Sequence, residues 1–288
     1  MKRKGPILLA TDFGPASRGA TAQALRLARA RSAELLVAHA VEIPSPDPHG
    51  AWLEGAREME AHAERSLARL AAVMRRAGAT VRTQQFIGRP GTMIVRLAEK
   101  VKPQLLVVGT QRLRGVRRFL LGSVAERVLR HAPCPVLVAT SGSRTPFKRI
   151  LHATDFSTRS DAALEEAIAI ARADGSTVTL LNVLDERAVD AIAMAAMPTL
   201  AAGRFSRTVH KESLERLQSL ARRHRLRPRV TAVWATDAAS AIASQAVRER
   251  ADLIAIGTQG RTGIAGFLIG NTAERIARQL PCSLLCVR

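Results

Sequence analysis

Short apolar runs of strand length alternate along this chain with longer segments in which apolar residues return every three or four positions. That alternation predicts parallel strands joined by crossover helices. In the first half, strands are expected at 6–11, 34–41, 80–86, 104–109 and 135–139. Between them, Ala24, Leu27, Ala28 and Arg31 share one face of a helix over 20–31, and 56–76 reads as a long amphipathic helix with a charged face. The second half repeats the scheme, with strands near 149–154, 177–183, 228–234, 252–257 and 283–287 and helices near 159–173, 206–224, 238–250 and 272–279. Each half is βαβαβαβαβ in outline.

The halves are copies. Ile7-Leu8-Leu9-Ala10-Thr11-Asp12-Phe13 returns 143 residues later as Ile150-Leu151-His152-Ala153-Thr154-Asp155-Phe156. Leu105-Leu106-Val107-Val108-Gly109-Thr110-Gln111 returns 148 residues later as Leu253-Ile254-Ala255-Ile256-Gly257-Thr258-Gln259. The small polar stretch Ser141 to Pro146 lies between two apolar strands and reads as the linker, which gives domains at 1–142 and 146–288. The fold class is therefore α/β, as two tandem doubly wound open parallel sheets of five strands, related by a pseudo-twofold. Such sheets bind ligands beyond the carboxyl ends of their strands, where the strand order reverses.

Composition agrees with two cores. A chain of 288 residues suits two domains, and 47% hydrophobic with 24% charged residues is a globular composition. The three cysteines, Cys134, Cys282 and Cys286, have no ligand spacing and read as small buried hydrophobes of a reducing compartment. The basic start Met1-Lys2-Arg3-Lys4 leads to no cleavage-site pattern, and the apolar stretch 191–202 is too short to span a bilayer and is broken by Pro198, so the expected location is cytoplasmic. The net charge of +20 attracts polyanions in general, but 3% aromatic residues and no tyrosine argue against a base-stacking groove. Dedicated nucleic-acid or membrane binding is not expected, and any polyanion association should collapse with added salt.

The chemistry gathers at strand ends. Asp12 and Asp155 follow the first strand of their copies, and Gly109 and Gly257 end the fourth. In the second copy Gly257-Thr258-Gln259-Gly260 is followed, after nine intervening residues, by Gly270-Asn271-Thr272 at a helix start, which together describe a phosphate cradle. In the first copy Gly109 is matched by Gly122-Ser123. Each element also has a plain structural reading: turn geometry for the glycines, local backbone bonds for the aspartates, and a capping box for Ser123-Val124-Ala125-Glu126. Their recurrence at the same places in both copies favours a site.

These residues resemble the universal stress protein family, in particular its tandem two-domain members. Thr-Asp-Phe after the first strand, Gly-x2-Gly-x9-Gly near the fourth, and Pro133-Cys134-Pro135-Val136-Leu137-Val138 as a last strand carry the resemblance over essentially the whole chain. The resemblance implies an adenine nucleotide alpha hydrolase-like fold. It also implies an adenine nucleotide between the first and fourth strands, usually ATP with a divalent cation such as Mg2+, with AMP and ADP as alternatives. Carried over by motif, Asp155 and Val183 serve the adenosine end, Ile256, Gly257, Gln259 and Gly260 the loop, and Gly270, Asn271 and Thr272 the phosphates. Asn271 stands where the family has Ser or Thr, and in the first copy Arg112 stands where a glycine is expected. That arginine either fills the phosphate space, at a further cost if the position needs positive φ, or clamps phosphates with Arg114, Arg117 and Arg118, or is part of a solvated loop. The C-terminal copy is thus the expected nucleotide site. Family dimers further imply an intrachain pseudo-dimer in which the last strands, Val136 to Ala139 and Leu284 to Val287, meet, with a homodimer of chains as a further step.

No Gly-Lys-(Ser/Thr) ending and no Gly-x-Gly-x-x-Gly after a strand is present, and His39, His152 and His210 read as structural or exposed. No catalytic residue is expected, and slow ATP hydrolysis is the most chemistry the chain should perform. A nucleotide-dependent stress regulator with an unknown protein partner is the leading reading. A nucleotide-free scaffold or chaperone-like protein using the insert Ala188 to Phe205 is the alternative.

Overall fold

The computed structural model describes residues 5–43, 52–112, 119–187, 191, 199–258 and 270–288. The chain divides into two compact units at Pro146 and Phe147. In the first unit the strands are β1 (Ile7–Ala10), β2 (Leu35–Val41), β3 (Val81–Ile87), β4 (Leu105–Arg112), the short β5 (Phe119–Leu120) and β6 (Val136–Thr140). Helices α1 (Arg18–Ala30), α2 (Trp52–Arg76), α3 (Pro90–Val101) and α4 (Ser123–His131) connect them. In the second unit, β7 (Arg149–Ala153), α5 (Thr158–Asp174), β8 (Thr177–Asp185), α6 (Thr199–Arg223), β9 (Arg229–Ala235), α7 (Ala238–Arg248), β10 (Leu253–Gly257), α8 (Asn271–Arg278) and β11 (Ser283–Val287) follow in turn.

Both sheets have one topology. The first runs β3-β2-β1-β4-β6 and the second β9-β8-β7-β10-β11, and every one of these pairings is parallel. The chain moves outward from β1 through β2 to β3, then returns past β1 to β4, so the order reverses between β1 and β4 and likewise between β7 and β10. Continuous apolar runs made the strands legible, and these runs are buried on both faces: all of β1, β6, β11 and all but the last residue of β10 are inaccessible or nearly so.

Two local features depart from expectation. The fourth strand of the first unit does not stop at Gly109 but runs on to Arg112, where it turns back as an antiparallel hairpin pairing Gln111 with Leu120 and Arg112 with Phe119. Extended pairing removes any need for positive φ at Arg112, so the strain considered for that position is absent. The capping box at Ser123 is also not formed, because Gly122 is the N-cap of α4 with no side-chain cap, and Ser123 is already the first helical residue. Residues 113–118, with Arg114, Arg117 and Arg118, and residues 259–269, with Gln259 and Gly260, lie outside the described residues. So do 188–190 and 192–198 of the insert, whose end from Thr199 forms the start of α6.

The linker is anchored. Gln23, 1% exposed on α1, donates from Nε2 to the Ser143 carbonyl at 3.0 Å, the Ser143 Oγ at 3.1 Å and the Thr145 carbonyl at 2.8 Å. Beyond it, the Phe147 N–H donates to Asp174 and those of Lys148 and Arg149 to Asp252. Replacing Gln23 by Ala leaves the linker carbonyls without this donor and is expected to cost about 1–3 kcal/mol. Faster amide hydrogen exchange over 141–146 would report the release, and unchanged protection there would show that the contact holds nothing.

Candidate functional site

The repeated Thr-Asp-Phe builds the same turn twice. In the first unit the Phe13 N–H donates to Thr11 Oγ1 at 3.0 Å and the Gly14 N–H to Asp12 Oδ1 at 2.9 Å. In the second, Phe156 N–H donates to Thr154 Oγ1 at 2.9 Å and Ser157 N–H to Asp155 Oδ1 at 3.0 Å. Both phenylalanines sit in the left-handed region, at φ 62° and 63°, a conformation that costs a bulky residue on the order of 1–2 kcal/mol. The local bonds that sequence reasoning offered as the plain reading of the aspartates are therefore made, and they hold a strained turn at the reversal point of each sheet.

A residue of the second strand ties down each turn, and sequence reasoning missed it as part of the site. His39 Nδ1 donates to the Thr11 carbonyl at 2.8 Å, and the ring packs at 4.5 Å from Phe13. At the matching place in the second unit Asn182 Nδ2 donates to the Thr154 carbonyl at 2.7 Å, while its Oδ1 accepts from Ser213 at 2.9 Å. Arg216 of α6 stands 4.0 Å above the Phe156 ring. The 143-residue offset relates His39 to Asn182 and was the available signal. Val183, the next residue on β8, is half-buried and pairs with Val233.

Gly109 and Gly257 have a structural task. A Cβ on Gly109 would lie 2.6 Å from the Ala16 carbonyl oxygen and 2.9 Å from Ser17 Cα, and one on Gly257 would lie 2.9 Å from the Ser160 nitrogen. In both units the segment after the first strand packs directly on the end of the fourth, and only glycine admits it. This close approach is to the protein's own backbone.

The helix that follows starts from a glycine N-cap in both units. Gly122 caps α4 and Gly270 caps α8, neither with a side-chain hydrogen bond. Elsewhere in the second unit, α5 is closed by Ser157 accepting from Ser160 N–H, and α7 by Asp237 accepting from Ser240 N–H. Gly270 N–H donates to the Thr258 carbonyl, which holds the start of α8 against the end of β10. Since Ala153 and Ile256 are register partners, Asp155, Gly257 and Gly270-Asn271-Thr272 meet at one edge of the sheet.

In the first unit Asp12, Ala40, Gly109, Val124 and His39 line one crevice of about 150 Å³. Ser123 lines an adjoining groove of about 370 Å³ with Arg89, Arg127 and Arg130. Among the described residues no group of three His, Cys, Asp or Glu side chains could hold a metal ion. His152 is fully buried rather than a ligand, donating from Nδ1 to the Ala255 carbonyl at 3.1 Å. The cysteines are buried, and burial pushes the Cys282 and Cys286 thiols up to about 12, which keeps them protonated and unreactive. No helix among the described residues is long and apolar enough to cross a membrane.

Comparison with known proteins bears on the family and the fold. The profile of the Universal stress protein family matches residues 5–140 and again 146–288. A universal stress protein of Methanocaldococcus jannaschii is 34% identical over 136 residues, 46% of this chain and 79% of that relative. The crystal structure of a universal stress protein from Archaeoglobus fulgidus DSM 4304 matches over 98% of both chains with a TM-score of 0.71 at 20% identity, a likeness of fold. A universal stress protein from Archaeoglobus fulgidus in complex with dAMP aligns with 48% of this chain and 98% of its own, at 23% identity and a TM-score of 0.37.

Proposed function

The chain belongs to the universal stress protein family, and on that premise we propose that it is an adenine-nucleotide-binding stress regulator whose C-terminal unit is the better nucleotide site. The observation that carries this reading is the amino end of α8. Its first-turn N–H groups have no side-chain cap, although the two other helices of that unit with described starts at Ser157 and Asp237 are capped by their own side chains. First-turn amides without a side-chain cap, together with the helix dipole, suit a phosphate. Gly270, Asn271 and Thr272 receive the phosphates there, with Gln259 and Gly260 on the loop, while Asp155 and Val183 serve the adenosine end. A member of the same family is known as a dAMP complex, which is in keeping with a nucleotide ligand.

ATP is the expected form and brings its own cation, because Mg2+ commonly binds through phosphates and one or two carboxylates rather than a protein cage. Binding, not turnover, is the activity, and occupancy biases contact with a protein partner. The first unit is the weaker site. Asp12 and Gly109 line its crevice of about 150 Å³ while Ser123 lies in the adjoining groove of about 370 Å³, so its candidate residues are divided between two recesses. Its fourth strand also continues past Gly109 into a hairpin, with Arg112 at the place Gly260 occupies in the second copy.

Calorimetric titration of the whole chain with ATP tests this. Gly260→Arg is expected to weaken the principal site at least about tenfold, and Asp12→Ala to leave it within about twofold. Equal losses would overturn the inequality of the units, and no binding at all would overturn the nucleotide reading.

A further inference from the structure

The second unit has a cavity of about 530 Å³ at the opposite edge of its sheet, within the ~300–1,000 Å³ that ligand pockets occupy. Arg149, Thr177 and Arg229, which line it, are the first residues of β7, β8 and β9. Asp155 and Gly257 lie beyond the other ends of the strands, and a five-residue strand at ~3.3 Å per residue separates the two places by roughly 16 Å. The cavity is thus distinct from the proposed nucleotide site.

Its wall is divided by chemistry. Ile150, Ile168, Ala171 and Val178 are buried and form an aliphatic floor, and no aromatic residue lines the cavity. Around it stand Arg149, Arg172, Arg227 and Arg229, all exposed, against one carboxylate, Glu249. That carboxylate accepts from Gln245 Nε2 at 2.6 Å, and Arg149 Nε donates to the Arg250 carbonyl at 2.7 Å. Among the described residues Arg172, Arg227 and Arg229 have no side-chain hydrogen bond or ion pair. Several like charges around one concavity repel each other, and an anion relieves the repulsion by accepting from their planar forks. A nucleobase would lack an aromatic face to stack on, whereas an alkyl chain matches the floor.

We propose that this cavity binds a small amphipathic anion, an acidic head group on an aliphatic chain, with the head among Arg172, Arg227 and Arg229 and the chain on Ile150, Ile168 and Val178. The head is a phosphate monoester or a carboxylate, since the guanidinium fork donates to the oxygens of either.

Titration of the whole chain below the micellar range with dodecyl phosphate and with dodecanoate identifies the head, and inorganic phosphate and dodecyltrimethylammonium serve as controls. Saturable binding of at least one anionic amphiphile, at least about tenfold tighter than either control, is expected. The double variant Arg172→Gln, Arg229→Gln is expected to lose about tenfold or more of that affinity, with ATP binding unchanged. Because both arginines are exposed, circular dichroism should report an intact fold. Equal binding of the cationic and anionic amphiphiles, no gain over inorganic phosphate, undiminished binding by the double variant, or capture only on phosphatidylglycerol vesicles would each overturn the proposal.

Discussion

Replacing Gly257 with Ala is expected to lower the stability of the second unit by about 1–3 kcal/mol, seen as a fall of several degrees in its melting temperature. The added methyl carbon meets backbone rather than flexible side chain: the Ser160 nitrogen at 2.9 Å and the Arg159 carbonyl carbon at 3.0 Å. Relief requires the first turn of α5 to retreat from β10. That turn also holds Ser160 within 3.4 Å of the buried His152 Nε2 and Ser157 over the Ser160 N–H, so the damage spreads to the cap and to the turn after β7. Gly109→Ala should be at least as costly, with its nearest backbone atom at 2.6 Å. Gly142→Ala is the control, because nothing lies within 4 Å and no positive φ is required. It should change stability by less than about 0.5 kcal/mol. Melting of Gly257→Ala at the same temperature as Gly142→Ala would refute the close approach.

The second large effect is of pH. Burial, the largest influence, pushes the imidazole of His152 from 6.5 down to about 4, His224 lowers it further, and the Ala255 carbonyl and Asp155 act in the other direction. The unfolded chain therefore binds this proton more readily than the native one between about pH 6.5 and 4, so stability falls as pH falls through that window and is fully retained above it. At ~1.4 kcal/mol per pH unit the loss approaches about 3 kcal/mol near pH 4. The chain has two tryptophans, and Trp52→Phe leaves Trp234 of β9 to report urea unfolding of the second unit. His152→Leu should flatten the slope between pH 6.5 and 4. An equal slope in both proteins would assign the acid sensitivity elsewhere.

Much of this molecule was legible in the chain because its signals are local. Apolar runs of four to eight residues bury on both faces only in a parallel sheet, and the duplicated Thr-Asp-Phe and Gly-Thr-Gln segments placed equivalent strand ends in both copies. Asp12 and Gly109 do share one crevice, and Asp155, Gly257 and Gly270 do share one sheet edge.

What remained hidden depends on residues far apart in sequence. Gly257 reads as a turn or ligand glycine until α5, nearly 100 positions earlier, is seen against it, and Phe156 gives no hint of positive φ because strain is stored only where Thr154 and Asp155 can hold the turn. Arg149, Arg172, Arg227 and Arg229 are scattered through a chain rich in arginine, and only the register of β7, β8 and β9 together with the docking of α5 brings them around one cavity. By itself the sequence determined the two α/β units, their strand ends and the residue types available there, since periodicity and duplication need no partner to be read. The tertiary structure decided which glycine is for packing, which helix start has no side-chain cap and which charges converge, because those properties belong to pairs of surfaces that exist only once crossover helices have docked.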